Sequence, residues 1–170
     1  GQTHLDTYRH IARYAILACG LTLVIVAGGI DLSVGSILGL TAVAFSILTI
    51  RLGCPAWLAL GACLLLGTAC GAASGVLAAR FGVQPFIATL AMMVFARGLA
   101  KFASGGMKIS TSVQKPDGSY EFVEQPPLYD LIDSRILGGN LAVVTLIFIA
   151  CLAVSWILLS RLRWGRYFYA

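Results

Sequence analysis

The chain has 170 residues, of which 59% are hydrophobic and 11% charged, with a mean hydropathy of +0.90. A soluble domain carries about 25% charged residues, so most of this chain must lie in lipid, and aqueous enzyme folds are excluded. The net charge of +5 comes from basic residues that are scattered along the sequence. A nucleic-acid partner would call for a basic stripe on one face, and none is expected.

The chain begins at Gly1, reaches its first methionine at Met92 and shows no secretory signal at its start. It is expected to be a fragment or a processed piece. Gly1–His10 is polar and is expected at a membrane interface. Ile11–Ile30 is then about long enough to cross a bilayer, given roughly 20 residues per span. Leu32–Ile50 follows almost at once as a second span. Between them stands Gly28-Gly29-Ile30-Asp31-Leu32-Ser33-Val34-Gly35-Ser36, which holds the only acidic residue between Asp6 and Asp117. The glycines loosen the backbone, so two helices are expected to meet here at an unwound joint. Asp31 is suited to cap the second helix, its carboxylate accepting the free amides of Ser33 or Val34. It is equally suited to line a solute pathway, because irregular backbone and a carboxylate at membrane depth are kept mainly where they face a cavity or protein. The two roles are compatible.

Arg51-Leu52-Gly53-Cys54 reads as a turn, with Pro55 opening the next helix. The third span, Pro55–Ala79, carries Ala59, Cys63, Gly67, Gly71, Gly75 and Ala79 at every fourth position. Small residues at this spacing let membrane helices approach closely, so Gly67, Gly71 and Gly75 are expected to form a packing face. Arg80–Pro85 breaks the chain, and Phe86–Phe102 is a fourth span. Arg97 and Lys101 lie one helical turn apart near its far end, as membrane-interface anchors whose stems snorkel through lipid.

Ser104–Ile136 is the one long polar segment and is net acidic. Lys115-Pro116-Asp117-Gly118 is a turn signal, and the partial alternation of Lys108–Gln114 and Ser119–Glu124 around it predicts a β-hairpin. Pro126-Pro127 ends this arm, and Leu128–Asp133 can form one helical turn. Leu137–Ser160 is the fifth span. Arg161, Arg163, Trp164 and Arg166 then form a basic, aromatic interface anchor of the kind expected on the cytoplasmic side. That choice puts Asp31 and Arg80 near the cytoplasm, and Arg51 and the polar arm outside.

The chemistry available is sparse. Cys19, Cys54, Cys63, Cys70 and Cys151 have no metal-ligand spacing and read as small buried residues. His4 and His10 precede the spans, and there is neither a Gly-x-Ser-x-Gly turn nor a phosphate-binding loop. Catalytic residues, a metal and a cofactor are not expected, and ATP hydrolysis would have to come from another chain. Passage of a solute, packing, or both remain.

Gly29–Ser36, preceded by Leu23-Val24-Ile25, closely resembles the hallmark of the permease subunits of ribose-type sugar importers, which are bacterial ATP-binding cassette transporters. Gln84–Met93, continuing to Ala96-Arg97-Gly98-Leu99 and Ser104-Gly105-Gly106, resembles a second block of that family. Gly165–Ala170 resembles the sequence leading into its cytoplasmic coupling region. The resemblance covers roughly Ile11–Ala170 in three collinear blocks. It implies an all-α, polytopic permease of the bacterial inner membrane, about five helices with one extracytoplasmic arm. It further implies a second permease copy, cytoplasmic ATP-binding subunits and a periplasmic sugar-binding protein as partners. A neutral polyol suits a path of hydroxyl and backbone groups, and by motif position Gly28, Gly29, Asp31, Ser33, Ser36 and Thr89 are its expected lining. The family's chains continue past Ala170 into the coupling helix and further spans, and carry a helix before the region where this sequence starts. The hairpin is no part of the family pattern; it can be a docking element or a plain solvent-exposed insertion, and the second reading is preferred. Two other readings compete: a proton-coupled carrier titrating at Asp31, which a buried, unpartnered carboxylate could serve, and a scaffold built on the Gly67–Gly71–Gly75 stripe.

Overall fold

Among the described residues four apolar segments are of spanning length, and short Gly- and Pro-containing breaks set where α2, α3 and α4 begin and end. In the computed structural model the described residues are 2–114, 118–124, 126, 128–129, 134–136 and 141–160. The helices among them are α1 (Gln2–Val26), α2 (Val34–Ser46, extended by a π-helical turn, Ile47–Arg51), α3 (Ala56–Phe81), α4 (Pro85–Ser104) and α5 (Val143–Ser160). Val34–Arg51, α3, α4 and α5 are each long and apolar enough to cross a membrane, whereas the apolar part of α1, Ile11–Val26, is shorter than the other four. The protein is an all-α polytopic membrane protein, with short strand pairs in its polar segments.

The chain divides into two units, Gly1–Ile30 with Leu128–Ala170 and Asp31–Pro127. In the first, α1 lies against α5. Ala12 and Cys19, two turns apart on α1, are buried, as is Val144 at the start of α5. Gln2–His10 continues α1 as helix, so the polar start is part of the helix that enters the apolar run. The fifth span begins at Val143, later than the apolar count suggests. Two short strands, β3 (Arg135–Ile136) and β4 (Leu141–Ala142), pair antiparallel just before it. The sequence between them, Leu137-Gly138-Gly139-Asn140, is rich in turn-forming residues, which a hydropathy window passes over.

In the second unit α2, α3 and α4 all touch one another. The connections 52–55 and 82–84 hold only a few residues, so successive helices run antiparallel and α2 is parallel to α4. Leu40, Cys70 and Ala96 form the buried centre, with Ile37, Leu66, Met92 and Ala100 packed around it. The helix starts carry proline where the amide is dispensable: Pro55 precedes α3 as its N-cap, one position earlier than the sequence suggests, and Pro85 is the first residue of α4. Beyond α4, strands β1 (Ser112–Gln114) and β2 (Tyr120–Phe122) pair antiparallel, Val113 opposite Glu121. The expected turn residues Lys115-Pro116-Asp117 lie outside the described residues, and so do 130–133, of which the neighbouring Leu128 and Tyr129 are helical.

Candidate functional site: the start of α2

The chain is non-helical from Ala27 to Ser33. Helix α1 ends because Gly28 adopts φ +74°, a left-handed conformation costly for residues with a Cβ. The Gly28 amide donates to the Ile25 carbonyl at 2.9 Å and the Gly29 amide to Val24 at 2.9 Å. This is the paired closure that satisfies the last free carbonyls of a helix. Gly28 and Gly29 are thus the stop of α1, and only Gly28 of the pair needs its left-handed freedom.

Helix α2 starts from Ser33, whose carbonyl accepts the amides of Ser36 and Ile37, each at 2.9 Å. Ser33 occupies the cap position expected of Asp31. Asp31 works two residues upstream: its Oδ1 accepts from the Ser33 amide at 2.7 Å and from the Ser33 hydroxyl at 2.6 Å. One of the two amides expected as partners is therefore bound, in a short turn held by a charge-assisted pair. Ser33 is fully buried and Asp31 partly so.

Ser36 behaves differently from eight other hydroxyls of the helices. Thr22, Ser46, Thr49, Thr68 and Ser74 each donate to the carbonyl four residues back, and Thr41, Thr89 and Ser104 to the one three back. For Ser36 the residue four back is Leu32, which precedes the helix, and the Ser33 carbonyl already holds two amides. Its hydroxyl is buried without a hydrogen-bond partner among the described residues, a state that costs free energy in a protein interior.

Thr89 and Ser74 are also buried. Ser36 precedes Leu40 by four residues, Ser74 follows Cys70 by four and Thr89 precedes Ala96 by seven. With α3 antiparallel to its neighbours, all three lie on the same side of the Leu40–Cys70–Ala96 centre, about 6, 6 and 10 Å along their axes. The three-helix unit is thus apolar at its middle, with Ser36, Ser74 and Thr89 buried toward the end where α2 starts and Thr49 and Ser104 buried toward the other. Ser74 is absent from the residues that the sequence singles out. Its signal is burial one turn from Cys70, legible only once the face of α3 is known.

The stripe on α3 divides. Ala59 and Cys63 are buried, the Cys63 thiol lies 3.3 Å from the Thr41 carbonyl oxygen, and a Cβ on Gly67 would lie 3.7 Å from Thr41 Cγ2 and 3.8 Å from Ile37 Cγ2. Gly71 and Gly75 are exposed, with nothing within 4 Å of an added Cβ among the described residues. Arg97 and Lys101 are exposed on α4, while Arg161, Arg163, Trp164 and Arg166 fall outside the described residues.

No solved structure matches the chain. A family model, the permease component of branched-chain amino acid transport systems, matches residues 5–170. The chain belongs to this permease family. Within the family it is 42% identical over 159 residues to the ribose import permease protein of Escherichia coli (strain K12), covering 92% of this chain and 45% of that protein. It is 37% identical over 158 residues to the fructose import permease protein FruG of Bifidobacterium longum (strain NCC 2705), covering 91% of this chain and 44% of that one. An autoinducer 2 import system permease protein of Klebsiella pneumoniae is 35% identical over 154 residues, covering 91% of this chain and 44% of the relative. The chain thus spans less than half the length of these relatives.

Proposed function

We propose that this permease chain forms part of the translocation pathway of an ATP-driven, binding-protein-dependent sugar importer in the bacterial inner membrane. The observation that carries the reading is the start of α2, where Asp31 pairs with Ser33 just before the helix and Ser36, within its first turn, presents a buried hydroxyl with no hydrogen-bond partner among the described residues. A neutral polyol needs hydroxyl and carbonyl groups that can exchange hydrogen bonds at little net cost. Gly28 and Gly29 would contribute their backbone, and Asp31, Ser33, Ser36 and Thr89 their side chains, with Ser74 added on the same end of the unit. Ser36, Ser74 and Thr89 are buried between helices, so they meet a solute only when α2, α3 and α4 part. ATP binding and hydrolysis by cytoplasmic subunits would drive that parting, a second permease copy would complete the path, and a periplasmic binding protein would deliver the sugar. The chain itself supplies no catalytic step.

The test is uptake of radiolabelled monosaccharides by the full-length protein, reconstituted with its ATPase subunits and binding protein in proteoliposomes. Uptake should require both ATP and the binding protein, and Ser36→Leu should abolish it. Asp31→Asn should leave ATP hydrolysis stimulated by the binding protein largely intact, since the importer couples to ATP and not to protons. Uptake driven by a pH gradient without ATP, and lost in Asp31→Asn, would overturn the reading.

A further inference from the structure

Helix α4 has two unlike faces. Ala88, Thr89, Ala96 and Ser104 are buried, and Met92 and Ala100 pack on the unit's centre. A concave strip of about 360 Å³ runs along another flank, lined by Met93, Val94, Arg97, Gly98 and Lys101. At 100° per residue these positions centre about 130° around the axis from Ala96, well away from the packed face. An added Cβ at Gly98 would meet nothing within 4 Å, so the missing side chain leaves room between the two cations. Arg97 and Lys101 are exposed and have no acidic partner among the described residues. The volume is at the low end of the scale for ligand pockets.

We infer that this flank of α4 binds an anionic phospholipid, with the phosphate held between Arg97 and Lys101 and the start of an acyl chain laid along Met93, Val94 and Gly98. The argument is complementarity of both charge and polarity. A guanidinium binds phosphate oxygens in a two-pronged geometry, and the lysine adds a second positive charge one turn away. Two cations on an apolar helix are costly in hydrocarbon unless their heads reach the interface or a counter-ion. Lys101 lies three residues from the end of α4 and Arg97 seven, about 5 and 10 Å along the axis, a depth from which the long stems can reach the headgroup layer. The apolar wall below the cations has no use for a free inorganic anion. It suits the hydrocarbon of an amphiphile whose head sits at the cations.

The inference does not depend on the sugar or on transport, so its failure leaves the proposed function standing. The experiment places the full-length protein in nanodiscs of phosphatidylcholine with one fifth phosphatidylglycerol, then counts co-retained lipids by native mass spectrometry. Phosphatidylglycerol should be retained over phosphatidylcholine, and Arg97→Gln with Lys101→Gln should lower that retention roughly tenfold, as expected for loss of charge-assisted hydrogen bonds. Gly98→Leu, which keeps both charges and fills the strip, should lower it as well and so separate a shaped site from general charge attraction. Inorganic phosphate at millimolar concentration should not displace the lipid. Equal retention of the two lipids by the unaltered protein, unchanged retention in the double variant or in Gly98→Leu, or displacement by phosphate would each overturn the inference.

Discussion

Ser33 and Ser36 sit three positions apart at one helix start and are both buried, yet their hydroxyls are in opposite states. The Ser33 hydroxyl donates to Asp31 at 2.6 Å, and the Ser36 hydroxyl has no partner among the described residues. Removing the first leaves a partly buried carboxylate with one donor fewer, so Ser33→Ala should cost about 1–2 kcal/mol. Removing the second deletes an unsatisfied group and keeps the shape close, so Ser36→Ala should lie within about 0.5 kcal/mol of the unaltered protein or above it. Thermal unfolding of the purified protein in detergent measures both. A Ser36→Ala variant as unstable as Ser33→Ala would mean that this hydroxyl is satisfied in the folded protein, and its availability to a sugar would fall with it. The sequence carries the chemistry of this site but not its state. Asp31 and Ser33 are recognisable as helix-start residues, while the missing partner of Ser36 depends on where the helix begins to within one residue.

At the scale of elements, the spans are legible because apolar length and Gly or Pro breaks are local properties. The faces are not, and α3 shows why. A spacing of four residues advances 400° around a helix, a drift of about 40° at every step, so Ala59 and Gly75 lie about 160° apart. The residues that do bury, Ala59, Cys63, Cys70 and Ser74, step by four, seven and four and stay within about 60°. The helical period, not the exact repeat of small residues, selects the packed side. Gly67 lies where the two patterns still overlap. Gly67→Leu should therefore force apart Thr41 and Ile37 on α2 and cost about 1–3 kcal/mol. Gly75→Leu projects into open space and should leave the melting temperature of the isolated permease nearly unchanged. Equal losses in the two variants would show that the exposed side of α3 is packed in the purified protein, against a surface such as that of another copy.

At the scale of the molecule, the alternation of short connections and spanning helices in the second unit carries a claim about sidedness. If α2, α3 and α4 each cross the bilayer, the turn holding Cys54 and the segment beyond Ser104 share one side, and Val83–Gln84 lies on the other. The dense basic and aromatic cluster after Ser160 favours the outer side for Cys54 and the hairpin. The buried Cys63 and Cys70 are in spans, and Cys54 is partly exposed in its turn, so a membrane-impermeant maleimide can report on the native thiol against a Cys54→Ser control. In intact cells stripped of their outer membrane, Cys54 and an introduced Ser119→Cys should react, and Gln84→Cys should react only after permeabilisation. The reverse pattern would keep the fold and invert the orientation, placing the hairpin in the cytoplasm, where a periplasmic binding protein could not reach it. Reaction of Cys54 and Gln84→Cys from the same side would be more damaging. It would require that α3, a 26-residue apolar helix, fail to cross, and the three-helix unit could not then bring Ser36, Ser74 and Thr89 to bear on a path through the membrane.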